Sequence, residues 1–144
     1  MQDNTQVDWQ CNRWVWWCDT RRLFAPPVKS NLLARLQVNR RGAALEPDSF
    51  LDPEMPFFNM AVHALCDQAE YAQEAACFIG VHWYNCNIKA LAREQQCARG
   101  TVYNRARSFA RRALALSKTI RTVHESMTSE KCSKAVEQNS SCVD

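Results

Sequence analysis

Two runs of apolar residues, spaced alternately by four and three positions, constrain this chain more than any other feature. In the first run, Phe58, Val62, Leu65, Ala69, Ala72, Ala76, Ile79 and Trp83 fall on one stripe. In the second, Val102, Ala106, Phe109, Ala113, Leu116 and Ile120 do the same. Such steps match the 3.6-residue turn of an α-helix, whereas strand side chains alternate every second residue. Only three of the 144 residues are Gly, and Ala, Leu, Gln and Arg are common. Gly costs about 1 kcal/mol relative to Ala inside a helix, so its scarcity points the same way. The expected fold is all-α: a compact helical domain over residues 1–125, then a polar tail over 126–144 without periodicity, expected to be disordered.

Within that domain the punctuation is readable. Residues 6–24 hold Trp9, Trp14, Trp16 and Trp17, and are expected to form a helix that ends before Pro26-Pro27. Trp9, Trp16 and Phe24 lie close to one line of that helix, and Trp14 and Trp17 lie on a neighbouring one. A broad aromatic face of this kind serves either core packing or a protein partner, since Trp and Arg are enriched at interface centres. Ser30 is placed to cap a short helix over about 31–38 that carries Leu32, Leu33 and Leu36. Asn39-Arg-Arg-Gly42 and then Pro47, Pro53 and Pro56 mark a connecting loop over 39–56. The next helix starts near Asp52-Pro53 or at Pro56 and runs to about Tyr84, with Gly80 as the place where it would break.

Charge is unevenly distributed along the chain. Residues 45–87 carry seven acids and no Lys or Arg, whereas residues 88–124 carry nine Lys or Arg against one Glu. A dense basic block beside an acidic one is the pattern of a nucleic-acid face with a separate protein-facing or solvated face. Eight cysteines are many for this length, but none is spaced as Cys-x-x-Cys, so no zinc site or other cofactor is expected. With no leader-like start and no long apolar run, the expectation is a cytoplasmic chain with reduced thiols and no membrane partner. There is no P-loop, no His-Glu-x-x-His and no Gly-x-Ser-x-Gly, and the chain is not expected to be an enzyme. Cys66 and His63, one helical turn apart, would be the remaining nucleophilic pair.

The basic block coincides with a helix-turn-helix over about 87–120. A short helix carries Leu91 and Ala92 inward, a tight turn falls around Gln95 to Ala98, and a second helix opens at Arg99-Gly100-Thr101 and is locked by Val102. That second helix is expected to run about twenty residues, well past an ordinary recognition helix. Its leading residues Arg99, Thr101, Asn104 and Arg105 are candidates to read bases: Arg pairs with guanine O6 and N7, and Asn with adenine N6 and N7. Gly100 allows the backbone to come close to DNA at a helix start, where phosphate is also favoured. Lys89, Arg93, Arg107, Arg111 and Arg112 are candidates for the phosphate backbone, part of that set being equally suited to a protein partner.

The order of these parts resembles one family. A helix with Trp14 and Trp17 is followed by Phe78-Ile-Gly-Val-His-Trp-Tyr, by Ile88-Lys-Ala-Leu-Ala, and by Cys97-Ala-Arg-Gly-Thr-Val-Tyr-Asn-Arg105. Over roughly residues 9 to 120 this resembles the phage late-gene antitermination protein Q family of the short, zinc-finger-free type. The helix-turn-helix alone also looks like region four of bacterial sigma factors. The resemblance implies a protein that binds a promoter-proximal site in double-stranded DNA. It implies loading onto paused bacterial RNA polymerase that still holds its sigma factor, and readthrough of terminators. By motif match, Arg99, Thr101, Asn104 and Arg105 would sit at the DNA-reading start of the second helix. The alternatives are an ordinary helix-turn-helix regulator, self-associating through the 58–83 stripe, and a DNA-packaging module of the terminase small-subunit kind.

Overall fold

Val7, Cys11, Trp14 and Cys18 recur at steps of four and three along the first helix, α1 (Asn4–Thr20), and all four are buried. The structure is a computed structural model that describes residues 4–21, 23, 26, 33, 36 and 52–140, with backbone alone for 131–140. The tryptophan face divides in two. Trp14 and Trp17 enter the core, whereas Trp9 and Trp16 stay 52% and 45% exposed and meet edge to face at 5.9 Å. The helix stops short of residue 24, because the amides of Arg21 and Leu23 both donate to the Cys18 carbonyl, at 3.2 and 3.1 Å. The short helix expected over 31–38 lies outside the described residues apart from Leu33 and Leu36, as does the loop expected over 39–56 up to residue 51, and the last two residues of that expected loop, Met55 and Pro56, already belong to a helix.

The middle of the chain forms α2 (Met55–Cys66), a 3-10 turn (Ala69–Tyr71), α3 (Ala72–Phe78) and a π-helical turn (Ile79–Trp83). Pro56 stands in the first turn of α2, where its missing N–H costs nothing. Just before it, the buried Asp52 accepts from the Glu54 amide at 2.9 Å and pairs with Arg13, which ties α1 to the start of α2.

This path corrects the single helix expected from Pro56 to Tyr84. The helix ends at Cys66, where Asp67 caps it by donating its amide to the His63 carbonyl at 3.3 Å and Gln68 turns extended. The aromatic residues supply the reason. Trp14 lies 6.2 Å from the Phe58 ring and 5.4 Å from the Phe78 ring. On one straight helix, residues 58 and 78 would be about 30 Å apart, and no single indole could touch both. The bend falls where the stripe holds only alanines, so a straight helix would gain little burial there, and Ala69 is exposed. Phe58, Val62, Leu65, Ala76, Ile79 and Trp83 are buried within the molecule, so this stripe is not a free surface for a second copy.

The chain does change at Gly80, but into a π turn instead of a break. A Cβ there would lie 2.9 Å from Leu91 Cδ2 and 3.1 Å from Leu33 Cδ2, so glycine lets the turn pack closely against both leucines. The Tyr84 amide donates to Ile79 at 3.1 Å and the Cys86 amide to Gly80 at 2.8 Å, with Asn85 in the left-handed region at φ 49°. Asn is among the few side-chain-bearing residues that tolerate this conformation.

Two further helices, α4 (Ile88–Glu94) and α5 (Arg99–Ser140), complete an all-α architecture of five α-helices, with no strand among the described residues. Val102, Ala106, Phe109, Ala110, Ala113 and Leu114 of α5 are buried against the body, and Phe109 meets Phe78 at 4.7 Å. Beyond Ile120 every described side chain of α5 is exposed, yet the helix backbone continues to Ser140. Helical backbone thus continues through residues expected to form a disordered tail, while no described side chain beyond Ile120 is buried. Residues 121–140 contain neither Gly nor Pro, so the backbone carries no stop signal, and just beyond Ile120 the helix meets the body at its edge through Arg121 with Glu54 and His124 at 5.4 Å from the Phe57 ring. Among the described residues no helix is long and apolar enough to cross a membrane.

The packing has two measurable consequences. The Trp14 indole donates to Asn59 Oδ1 at 3.0 Å, so Asn59→Ala strands a buried N–H. It should cost about 1–3 kcal/mol, read as a lower urea midpoint at unchanged slope. The half-buried His82 has its imidazole pushed down from 6.5 to about 4 by desolvation, Arg107 adding to the effect and Asp8 opposing it. Below pH 6.5 the unfolded chain takes up a proton that the folded chain refuses until about pH 4, so stability contributed by this group falls across that window and is constant above it. Between pH 7.5 and pH 5.0 the wild type should lose about 1–2 kcal/mol more than His82→Gln in urea titrations.

Candidate nucleic-acid interface

The turn between α4 and α5 is built by backbone hydrogen bonds. Asn87 caps α4, its Oδ1 accepting from the Ala90 amide at 3.1 Å. At the other end the Cys97 amide donates to Ala92 at 3.0 Å and the Gln96 amide to Arg93 at 3.2 Å. This pair of bonds is the Schellman arrangement, with Gln96 at the left-handed position, φ 55°, that glycine usually takes. Leu91 and Ala92 point inward, as expected, and so does Val102, which anchors the start of α5. The turn is thus held on both sides by buried residues, and the first turn of α5 has a fixed position relative to α4.

On the outer side, Arg99, Gly100 and Asn104 are exposed and Thr101 is half-buried, its amide donating to Ala98 at 3.0 Å. A Cβ at Gly100 would meet nothing within 4 Å, so no internal neighbour requires glycine there. Lys89 and Arg93, four apart on α4, line a shallow groove of about 360 Å³ with Leu36, Asn87 and Ala90. Lys89, Arg93 and Arg99 make no ion pair among the described residues. They form the unneutralised cationic ground around the start of α5.

The remaining candidates are engaged inside the molecule. Arg105 folds back on the turn, donating to Gln95 Oε1 at 3.2 Å and lying 3.9 Å from Cys97 Sγ, which makes it a brace for the turn. Arg107 pairs with Asp8 at 3.4 Å, and Arg111 donates to Asn4. Arg112 pairs with Glu74 at 3.2 Å and lies 4.8 Å from the Tyr71 ring. Arg121, further along, pairs with Glu54 at 3.5 Å and Glu125 at 3.1 Å. Acids of the 45–87 block therefore interleave with the basic helix and do not form a wholly separate face.

Sequence reasoning missed several participants. Tyr103 is exposed one residue before Asn104, and its position off the buried stripe was the available signal. Gln95 and Gln96 act through the turn. Asn4 and Asp8 reach α5 across about a hundred positions, a contact no local pattern announces.

Four of the described thiols are held in the neutral form by burial. Burial, with Asp67 adding to it, pushes the Cys66 thiol up to about 12, so beside His63 it carries no thiolate at neutral pH. Burial raises Cys11 to about 12 and Cys77 and Cys86 to about 11 in the same way. Among the described residues no group of three or more His, Cys, Asp or Glu is placed to hold a metal ion.

Replacing Gln96 by Gly removes the Cβ strain of the left-handed position. It should raise stability by about 0.5–1 kcal/mol, whereas Gln96→Val should lower it. Thermal denaturation of the two variants checks the sign.

No family model matches the chain, and neither a curated protein nor a solved structure shows significant similarity to it.

Proposed function

We propose that this chain binds double-stranded DNA through its helix-turn-helix, laying the start of α5 in the major groove, and that it acts by binding alone. One observation carries the reading: Arg99, Gly100 and Asn104 face outward on a helix start whose opposite side is fixed by Val102, Ala106 and Phe109. Arg99 and Asn104 have the donor patterns that read guanine and adenine edges, and Thr101 lies between them. Lys89 and Arg93 supply phosphate contacts from α4, with Gly100 leaving the backbone open to a close approach. Arg105 supports the reading indirectly, as a brace for the turn.

The narrower form of the proposal is a transcription antiterminator of the Q type, working in the bacterial cytoplasm. It would load on RNA polymerase and its sigma factor at a phage late promoter. Its support is the sequence resemblance over residues 9 to 120. The exposed Trp9 and Trp16 on α1 provide apolar surface away from the core for a protein partner.

The test has two layers. After selection of a preferred site from a random duplex pool, Arg99→Ala and Asn104→Ala should each lose about 1–3 kcal/mol on that site and much less on random duplex. Equal losses on both duplexes would remove the groove assignment. In single-round transcription past an intrinsic terminator, readthrough should rise only on templates that carry the selected site near the promoter. Repression without readthrough would leave an ordinary regulator, and a ring by light scattering would favour the packaging module.

A further inference from the structure

Gly100, Asn104, Arg107 and Arg111 succeed one another at steps of four, three and four, so they share one line along the outer side of α5. The first two belong to the proposed base-reading turn. Arg107 and Arg111 stand one and two turns further on, about 5 and 10 Å along the axis, where the phosphates flanking an occupied groove would pass. Neither arginine is unengaged. The first turns of α1 run antiparallel to this part of α5, so that Asp8 meets Arg107 at 3.4 Å and Asn4 accepts from Arg111. The Arg107 guanidinium lies 5.9 Å from the Tyr103 ring, and its buried Nε finds no acceptor among the described residues. Asp8 is thus the carboxylate that balances this guanidinium. It does so on an exposed flank, with the two side chains 28% and 41% exposed.

We propose that Asp8 occupies the place of a DNA phosphate on Arg107 and so sets the strength of sequence-independent binding. The inference rests on the DNA-binding reading and deepens it. A carboxylate and a phosphate oxygen make the same charge-assisted bond to a guanidinium, and a guanidinium whose charge Asp8 already offsets attracts a phosphate less. Phosphate contacts raise affinity for every duplex and carry no base information. With Asp8 in place, α5 therefore meets DNA with one phosphate-binding cation fewer than its sequence suggests. Asn4 cannot play the same part at Arg111, because a neutral amide leaves the arginine's charge uncompensated.

The experiment uses the full chain and a fluorescent random-sequence duplex of about 20 base pairs, with binding followed by anisotropy across a KCl series. Asp8→Asn keeps the side-chain shape and removes the charge. It should bind random duplex about 3–10-fold more tightly at about 0.1 M KCl, and its log–log salt dependence should steepen by about 0.9. Arg107→Gln in the wild-type background leaves Asp8 uncompensated on this flank and should weaken binding to random duplex, and in the Asp8→Asn background it should abolish the gain and the added slope. A gain that survives in the double variant would show that Asp8 does not act through Arg107 and overturn the inference, as would an unchanged salt slope in Asp8→Asn or an equal gain from Glu130→Gln, which removes an exposed acid 23 residues further along α5. Circular dichroism of each variant separates these outcomes from misfolding, and Asp8→Ser provides a second neutral side chain if Asp8→Asn fails to fold. If wild type and variants all ignore duplex at low salt, the DNA-binding reading itself is lost. If wild type binds and Asp8→Asn matches it, only the role of Asp8 falls.

Discussion

The Trp14 indole is the interaction on which the rest of this structure depends. It is wholly buried and touches Phe58, Phe78 and Trp83, and Phe78 in turn stacks on Phe109. One connected set of rings therefore joins α1, α2, α3, the π turn and α5. Each large aromatic side chain buries about 150–250 Å², and ring pairs add about 0.5–1.5 kcal/mol beyond that area. The Trp14 N–H is satisfied by Asn59, so the indole enters the core without leaving a polar group stranded. Because Phe109 is part of this set, the position of α5 is fixed by the core several residues beyond its exposed first turn.

That distance matters for the candidate interface. A helix that serves any binding role through its first turn must offer its leading side chains while its body resists displacement. Here the resistance comes from Val102, Ala106, Phe109 and Ala113, and the register of the leading turn comes from the Schellman bonds of Gln96 and Cys97. Arg105 links the two by holding Gln95 from α5. The outer turn can therefore consist of polar and small residues that contribute nothing to the fold.

Local and non-local features differ in how far the sequence disclosed them. The all-α class, the position of α4, the inward Leu91 and Ala92 and the opening of α5 at Arg99 were legible, because each depends on a pattern within one or two helical turns. The bend between α2 and α3 was hidden by a stripe that steps correctly through Ala69 and Ala72. Periodicity records which residues could share a face, and it is silent on whether burying a methyl there outweighs bringing Phe58 and Phe78 to one tryptophan. The division of the Trp face was ambiguous for a related reason: four indoles on one helix exceed what a single packed side can cover. The state of the arginines was the least legible part. Arg99 and Arg107 look alike in sequence, and only the three-dimensional approach of Asp8 distinguishes an unneutralised cation from a balanced one.

This last distinction changes what the basic block can do. Read as formal charge, residues 88–124 present nine cations to any polyanion. In the folded chain Arg107, Arg112 and Arg121 are balanced by Asp8, Glu74 and Glu54, and Glu125 adds to Arg121. Exposed pairs of this kind contribute only about 0–1 kcal/mol each to stability, so their consequence lies mainly in the field they leave outside. Of the cations without an acid partner among the described residues, Lys89, Arg93 and Arg99 lie around one helix start, where the backbone dipole adds to them, and Arg105, Arg111 and Lys118 lie further along α5. A uniformly basic helix would hold DNA in many registers along its length. Pairing Arg107, Arg112 and Arg121 with acids lowers the field along α5, which on the DNA-binding reading proposed above would favour contact at the end that carries Arg99 and Asn104.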